Sequence, residues 1–594
     1  MTGSPTPTAG SLSHRQILTI FAGLMIGMFL AALDQTIVAT SIRTVADDLN
    51  GLSLQAWATT AYLITATIST PLYGKLSDLY GRKPLFLTAI SIFVLGSAAC
   101  AFATSMYQLA AFRGVQGLGA GGLFSVALTI VGDIVAPRER ARYQGYFVAV
   151  FGTSSVLGPV AGGFLAGQPE LWGITGWRWI FLINVPLGAA ALAVVTRVLN
   201  VPHRRREHRI DWPGALALAA GLVPLLVVAE QGRSWGWTSA PALACFAVGA
   251  LGLAAFLALE RRIGEDALLP LRFFRSNVFS WGTLAGFVAG TGMFGALALL
   301  PLYLQIVKGA TPTQAGLQTL PLVLGIMSMS ITSGRFISRT GRYKVWPVLG
   351  LSLMIIGIGA LSRIDADTPY WQTAICMLVV GWGLGGNMQP LTLAVQNAMP
   401  PQDMGVATAS ATFFRQMGGT LGTAVFLSLL FGGIGPRVAE NVRAAEGTPA
   451  FQAALVYPAV LAEPANAPVL DAVSAGTPVS LDDSSFLRAA DPVLARPILD
   501  AFAGSMSVVF LTASAVLVLG LLAVIMMREV PLRTMSGVDA RRAAEAAVPA
   551  SGLDGAGDAV LGAAAVPAAV AAEALTAGPR PQDGADERDG PVRP

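Results

Sequence analysis

The chain has 594 residues, 54% of them hydrophobic and only 12% charged, with a mean hydropathy of +0.62. Soluble domains carry roughly 25% charged residues, so a water-soluble globular protein is excluded and a polytopic membrane protein is expected. The net charge of +4 does not point to nucleic acid, and three isolated cysteines and three histidines in polar segments offer neither a disulfide framework nor a metal centre.

Apolar runs of about 20 residues, the length that crosses a ~30 Å hydrocarbon core as a helix, recur fourteen times. They begin near Ile17, Gln55, Pro84, Leu109, Gly145, Trp179, Trp212, Ala240, Phe279, Gln314, Val345, Trp371, Val406 and Met506. The first is too long for a signal-peptide core and reads as a retained span. With the N-terminus inside, the short cytoplasmic connections hold twenty Lys and Arg residues and the short outer ones five. That asymmetry predicts cytoplasmic N- and C-termini.

The expected organisation is a cytoplasmic N-terminus (1–16), a six-span bundle (17–200), two inserted linker spans (201–275) and a second six-span bundle (276–530). The second bundle carries a long outer loop at 432–505, and residues 531–594 form a tail of Ala, Gly, Pro and scattered acids. Such a composition cannot bury a core, so the tail is expected to be disordered. The halves repeat. GKLSDLYGRKP (Gly74–Pro84) matches GRFISRTGRYK (Gly334–Lys344) at an offset of 260, and GLGAG (Gly117–Gly121) matches GLGGN (Gly383–Asn387) at 266. Repeated halves rocking about a site at their interface are a transporter architecture.

Within the first run, MFLAALDQTIVAT (Met28–Thr40) holds Asp34, the one acid placed well inside any span. Taking a charge out of water is costly unless it is paired or neutralised. Asp34 is therefore a candidate proton carrier; recognition of a cationic drug and a structural hydrogen bond are the alternatives. Counted from Ile17 at 1.5 Å per residue, it lies roughly 25 Å along the helix, in the outer half of the membrane. Gly74, Asp78, Gly81, Arg82 and Lys83 form a candidate gating loop: the glycines allow a tight turn and close approach, and Asp78 belongs near a cation or the N-terminus of the third span. Arg113, inside the fourth span, is either an interhelical anchor or a partner tuning a nearby carboxylate. Gly158, Pro159, Gly162 and Gly163 bend or loosen the fifth helix and permit close packing. Gln35, Trp57, Tyr62, Gln116 and Arg415 are candidate cavity residues, with packing or a structural anchor as the alternative for Trp57, Tyr62 and Arg415.

These motifs carry a family resemblance. GKLSDLYGRKP resembles the loop between spans two and three of the major facilitator superfamily, RGVQGLGAGG (Arg113–Gly122) its fourth-span signature, and GTSSVLGPVAGG (Gly152–Gly163) the fifth-span motif of its antiporters. GWRWIFLINVPLG (Gly176–Gly188) and ALDQTIVATSI (Ala32–Ile42) resemble signatures of the fourteen-span drug:proton antiporters of the EmrB/QacA type. The resemblance covers roughly residues 15–530. It implies an all-α membrane fold of two pseudo-symmetric six-helix bundles plus two inserted central helices. It also implies a role for Arg113 in proton transfer, and export of small hydrophobic or amphiphilic drugs or toxic metabolites in exchange for protons. The proton-motive force takes the place of a cofactor; neither an enzymatic activity nor an obligate protein partner is expected. The 34 Arg against 4 Lys point to a high-GC bacterium and its plasma membrane. A facilitator-type nutrient or metabolite transporter and a non-transporting receptor-like protein are the rival readings.

Overall fold

The computed structural model describes residues 14–49, 54–140, 143–199, 211–400, 403–475, 477, 479 and 485–533. The expected disordered tail lies almost wholly outside the described residues. Among the described residues fourteen long helices follow one another: α1 (His14–Asp48), α2 (Gln55–Tyr80), α3 (Arg82–Ala101), α4 (Met106–Ile134), α5 (Gln144–Ala166), α6 (Asn184–Val198), α7 (Trp212–Trp235), α8 (Ala240–Ile263), α9 (Asn277–Ile306), α10 (Leu320–Thr340), α11 (Val345–Leu361), α12 (Tyr370–Ala398), α13 (Met404–Glu446) and α14 (Pro492–Met526). Hydrocarbon offers no partner for backbone polar groups, so an apolar run that enters it closes its own hydrogen bonds as helix. The ends are set by local chemistry: Ser105, Ser239 and Ser276 cap α4, α8 and α9 through their side chains. A short helix, Pro312–Gln318, starts on a Thr311–Gln314 capping box ahead of α10.

Eleven helices among the described residues are long and apolar enough to cross a membrane. The three others are α11, which has 17 residues, and the long helices α2 and α12.

The long connection after Gly432 is largely helical: α13 runs unbroken through Gly432–Gly435 to Glu446, and three further short helices follow. The last long helix begins at Pro492 rather than near Met506, capped by Asp491. The link between α2 and α3 is likewise almost wholly helical. Gly74 lies within α2, and Gly81 alone breaks the helices at φ 97°, a conformation that L side chains rarely adopt.

Helices α1–α6 pack around one another, and so do α9–α14, while α7 and α8 pair and α7 rests on α2 and α13. The halves are related residue by residue. Gly117 and Gly121 of α4 press on the carbonyls of Tyr62 and Ala66 in α2, and Gly381 and Gly385 of α12 press on those of Leu322 and Ile326 in α10. Gly119 and Gly122 face Ala89 of α3, as Gly383 and Gly386 face Gly350 of α11. The α2/α10 offset is therefore 260, as the sequence repeat gives, but the α4/α12 offset is 264 and not 266. GLGAG and GLGGN align by letter two residues away from the register that packing selects, because glycine-rich runs match themselves at several shifts.

Candidate functional site

Asp34 is fully buried, in the middle of α1, and three other helices contribute to its surroundings. Its Oδ2 accepts from Arg113 Nη1 at 2.6 Å; its Oδ1 accepts from Gln116 Nε2 at 2.8 Å and from Asn184 Nδ2 at 2.9 Å. Arg113 and Gln116, three residues apart, share one face of α4. Arg113 Nη1 also donates to Gln116 Oε1 (2.7 Å), and its Nε donates to the carbonyl of Ala58 (3.3 Å). The guanidinium lies 4.2 Å from the ring centroid of Tyr62, a cation–π contact in a dry setting. Asn184 passes the network on to Ser97 Oγ (2.9 Å), which donates to the carbonyl of Phe181 (2.9 Å). Arg113 is thus in direct contact with Asp34. A buried pair of this kind gains little net stability, but removing one partner is costly because the other stays buried.

Sequence reasoning passed over Asn184 and Ser97. Asn184 stood inside the quoted run WIFLINVPLG, where an amide in an otherwise apolar helix was the available signal.

The second site lies where α2 meets α13. Thr70, Gly74 and Asp78 are four residues apart and form one stripe on α2. Thr70 Oγ1 donates to Gln416 Oε1 (3.1 Å), and Gly74 packs so tightly on Ala409 that a Cβ would collide with it. Asp78 accepts from the backbone N–H of Gly405 (3.3 Å) and Val406 (2.9 Å), the first turn of α13. The helix N-terminus that Asp78 caps is therefore that of α13, in the other half, while the cation expected beside it is Arg82. Arg82 Nη2 pairs with Asp78 Oδ1 (2.5 Å), its Nε with Asp133 Oδ2 (2.9 Å), and its Nη1 donates to Ser77 Oγ (2.6 Å). Lys83 donates to the carbonyl of Thr196 (2.6 Å), tying α3 to α6.

A further cross-half link went unread in the sequence. Arg140, on the short turn Pro137–Arg140, is buried and donates to Gln396 Oε1 of α12, to the carbonyl of Gly132 and to that of Val135 (2.9 Å). Burial among these neutral partners pushes its guanidinium down to about 10, against the pull of nearby Asp133. In the second copy of the loop motif, Ser338 Oγ donates to the carbonyl of Arg335 (2.9 Å). The N–H groups of Tyr343 and Lys344 bond Glu529 (2.8 and 3.1 Å) in the same half.

Pro159 lies within an unbroken α5. A Cβ at Gly158 would overlap Thr36 Oγ1, and one at Gly162 would lie 2.5 Å from Thr40 Oγ1. Thr36 Oγ1 also donates to the carbonyl of Ser154 (2.9 Å). The motif helix is therefore seated on α1 two residues from Asp34. A Cβ at Gly163 would meet only Thr313, at 3.8 Å, while one at Gly316 of the second half would come within 3.2 Å of the Pro159 ring.

Of the five expected cavity residues, Tyr62 and Gln116 are buried within the Asp34 network, and Gln35 and Trp57 are half-buried. Arg415 lies on the wall of a small pocket between α9, α12 and α13.

The profile of the Major Facilitator Superfamily matches residues 24–423. The chain is 36% identical over 514 residues to an uncharacterized MFS-type transporter of Mycobacterium tuberculosis, covering 86% of this chain and 70% of that protein. It is 34% identical over 414 residues to the multidrug transporter protein MdtP of Bacillus subtilis, covering 70% and 75% of the two chains. To a tetracycline resistance determinant of Streptomyces rimosus it is 39% identical over 327 residues, covering 55% and 93%. Among solved structures, the human organic anion transporter MFSD10 superposes with a TM-score of 0.53 at 14% identity, covering 85% of this chain and 99% of that one. The helices, their pseudo-symmetric packing and these matches agree: the chain is a multi-pass membrane transporter, not an enzyme, and belongs to the major facilitator superfamily.

Proposed function

We propose that the protein exports small hydrophobic or amphiphilic compounds in exchange for protons, by alternating access, with Asp34 as the coupling residue. The observation that carries this reading is the fully buried Asp34–Arg113 pair, held by three helices beside the glycine face of α5. A proton reaching Asp34 removes the charge that Arg113 holds and cancels their Coulomb attraction. Helix α1 is then released from α4 and α6, and α5, interlocked with α1 at Thr36, moves with it. Substrate displacing the proton restores the pair. A proton moving inward supplies ~2.3 kcal/mol per 100 mV of membrane potential and ~1.4 kcal/mol per unit of pH difference.

The Asp78–α13 contact and the Arg140–Gln396 link then act as the latch that closes one end. In this reading fourteen spans, in two six-span bundles (17–200 and 276–530) with linker spans between them, place both termini and the latch in the cytoplasm. The names of the relatives in Bacillus subtilis and Streptomyces rimosus support multidrug or tetracycline export.

The test is Asp34→Asn in proteoliposomes carrying a pH-sensing dye. Wild-type protein is expected to move substrate against its gradient while protons cross in the opposite sense. The variant is expected to keep substrate exchange at equal concentrations and to lose both accumulation and proton flux. Accumulation that survives in Asp34→Asn would sink the coupling role.

A further inference from the structure

The halves differ in one chemical respect. In the first, Thr36 Oγ1 of α1 donates to the carbonyl of Ser154 and Gly158 packs on Thr36. In the second, Thr291 Oγ1 of α9 donates to the carbonyl of Gly418 (3.2 Å) and Gly422 packs on Thr291. Thr36 and Thr291 are therefore equivalent, and the residue equivalent to Asp34, two positions earlier, is Ala289. Ala289 lines the cavity between α9, α12 and α13, and so does Arg415. The residue equivalent to Arg113, at the α4/α12 offset, is Met377, which is fully buried and apolar.

Among the described residues, Arg415 has no counter-charge. Between Asn277 and Leu430 the sequence holds three acids: Asp365, Asp367 and Asp403. All three lie outside the long helices. Asp403 pairs with Arg272 (3.0 Å), Asp367 with Arg496, and Asp365 accepts from Thr368 Oγ1 (2.7 Å). Among the described residues the guanidinium makes one hydrogen bond, from Nη1 to Thr392 Oγ1 at 3.4 Å, out of five N–H donors. Asn387, also on the cavity wall, has its buried Oδ1 without a partner. Apart from Thr392, the rest of the wall is apolar, with Ala289, Met388 and Leu391 among it.

A guanidinium beside an apolar wall matches a ligand with an acidic group on a hydrophobic body. Resting on the export reading above, we propose that this cavity binds anionic amphiphiles. Arg415 clamps the ligand's carboxylate, sulfonate or enolate, so that the ligand supplies in the second half the negative charge that Asp34 supplies in the first. A guanidinium takes such groups bidentately, which lysine cannot reproduce in full.

The test uses the purified full chain in detergent and two xanthene dyes of similar size and opposite charge, fluorescein and rhodamine 123, titrated by fluorescence anisotropy. Wild-type protein is expected to bind fluorescein. Arg415→Gln is expected to raise the fluorescein Kd by about tenfold or more relative to that of rhodamine 123, the loss of roughly one charge-assisted pair. Arg415→Lys should recover part of the difference. Ala289→Asp, which installs a carboxylate for Arg415, should weaken fluorescein as Arg415→Gln does. The proposal is overturned if wild-type protein fails to bind fluorescein, if Arg415→Gln and Arg415→Lys weaken both dyes equally, or if fluorescein binds Ala289→Asp as it binds wild type. Should Arg415→Gln not fold, the Arg415→Lys and Ala289→Asp arms still decide. Binding needs no proton gradient. Arg415-dependent fluorescein binding without gradient-driven flux would defeat the export reading and leave this site standing.

Discussion

Asp34 is held by donors on two helices: Arg113 and Gln116 on α4 and Asn184 on α6. The position of each donor follows from helix geometry, but their convergence does not. Removing Arg113 while Asp34 stays buried strands a charge, so Arg113→Leu is expected to destabilise the protein by about 3–5 kcal/mol. The double variant Asp34→Asn/Arg113→Leu should recover much of that loss. Thermal unfolding in a fixed detergent checks both, and a double variant no more stable than Arg113→Leu would show that the pair is not the source. Asp34 and Arg113 were legible in the sequence because a charge in an apolar run demands a partner. Asn184 and Ser97 were not, because a neutral amide or hydroxyl in such a run has many unremarkable uses.

Within single elements, glycines in one motif carry different duties. Gly158 and Gly162 face Thr36 and Thr40 of α1 with no room for a methyl group, whereas Gly163 meets only Thr313 at ordinary contact distance. Gly158→Ala is therefore expected to cut transport at least about tenfold, given the 1–3 kcal/mol typical of overpacking a tight contact. Gly163→Ala should be close to neutral. Substrate flux normalised to protein in the membrane checks this, and equal losses at both sites would contradict the interlock. The sequence announced that α5 was special, but it could not say which glycine touches which helix. That depends on the rotation of α5 about its axis, which α1 fixes. The run after Gly432 shows the converse: its Ala- and Pro-rich composition read as loop, yet Pro436 and Pro497 lie inside continuous helices. Pro449, Pro458 and Pro492 begin helices, where a missing N–H costs nothing.

Across the whole molecule, the halves meet through α2 on α13 and through Arg140 on α12. A carboxylate at a helix N-terminus stabilises by about 0.3–2 kcal/mol, a size suited to the proposed latch, which would open in every cycle. Asp78→Asn and Arg140→Gln are each expected to shift the population towards the state open at that end. Spin labels at the exposed Glu139 and Arg342 would report it as longer inter-label distances, with the double variant furthest displaced. Distributions identical to wild type in both variants would remove the latch.

The sequence by itself determined that the chain crosses a membrane many times and that its halves repeat, and it singled out Asp34, Arg113 and the Gly74–Lys83 motif as candidates. Hydrophobic length, charge cost and motif spacing are local properties, and all are written along the chain. Only the tertiary structure decided that Asp78, besides pairing with Arg82 on its own helix pair, reaches the first turn of α13, 327 residues away. It also set the register between α4 and α12, and it placed Arg415 beside Ala289, the counterpart of Asp34. Contacts between distant helices depend on which faces are turned towards each other. Packing chooses those faces, and no single run of residues records the choice.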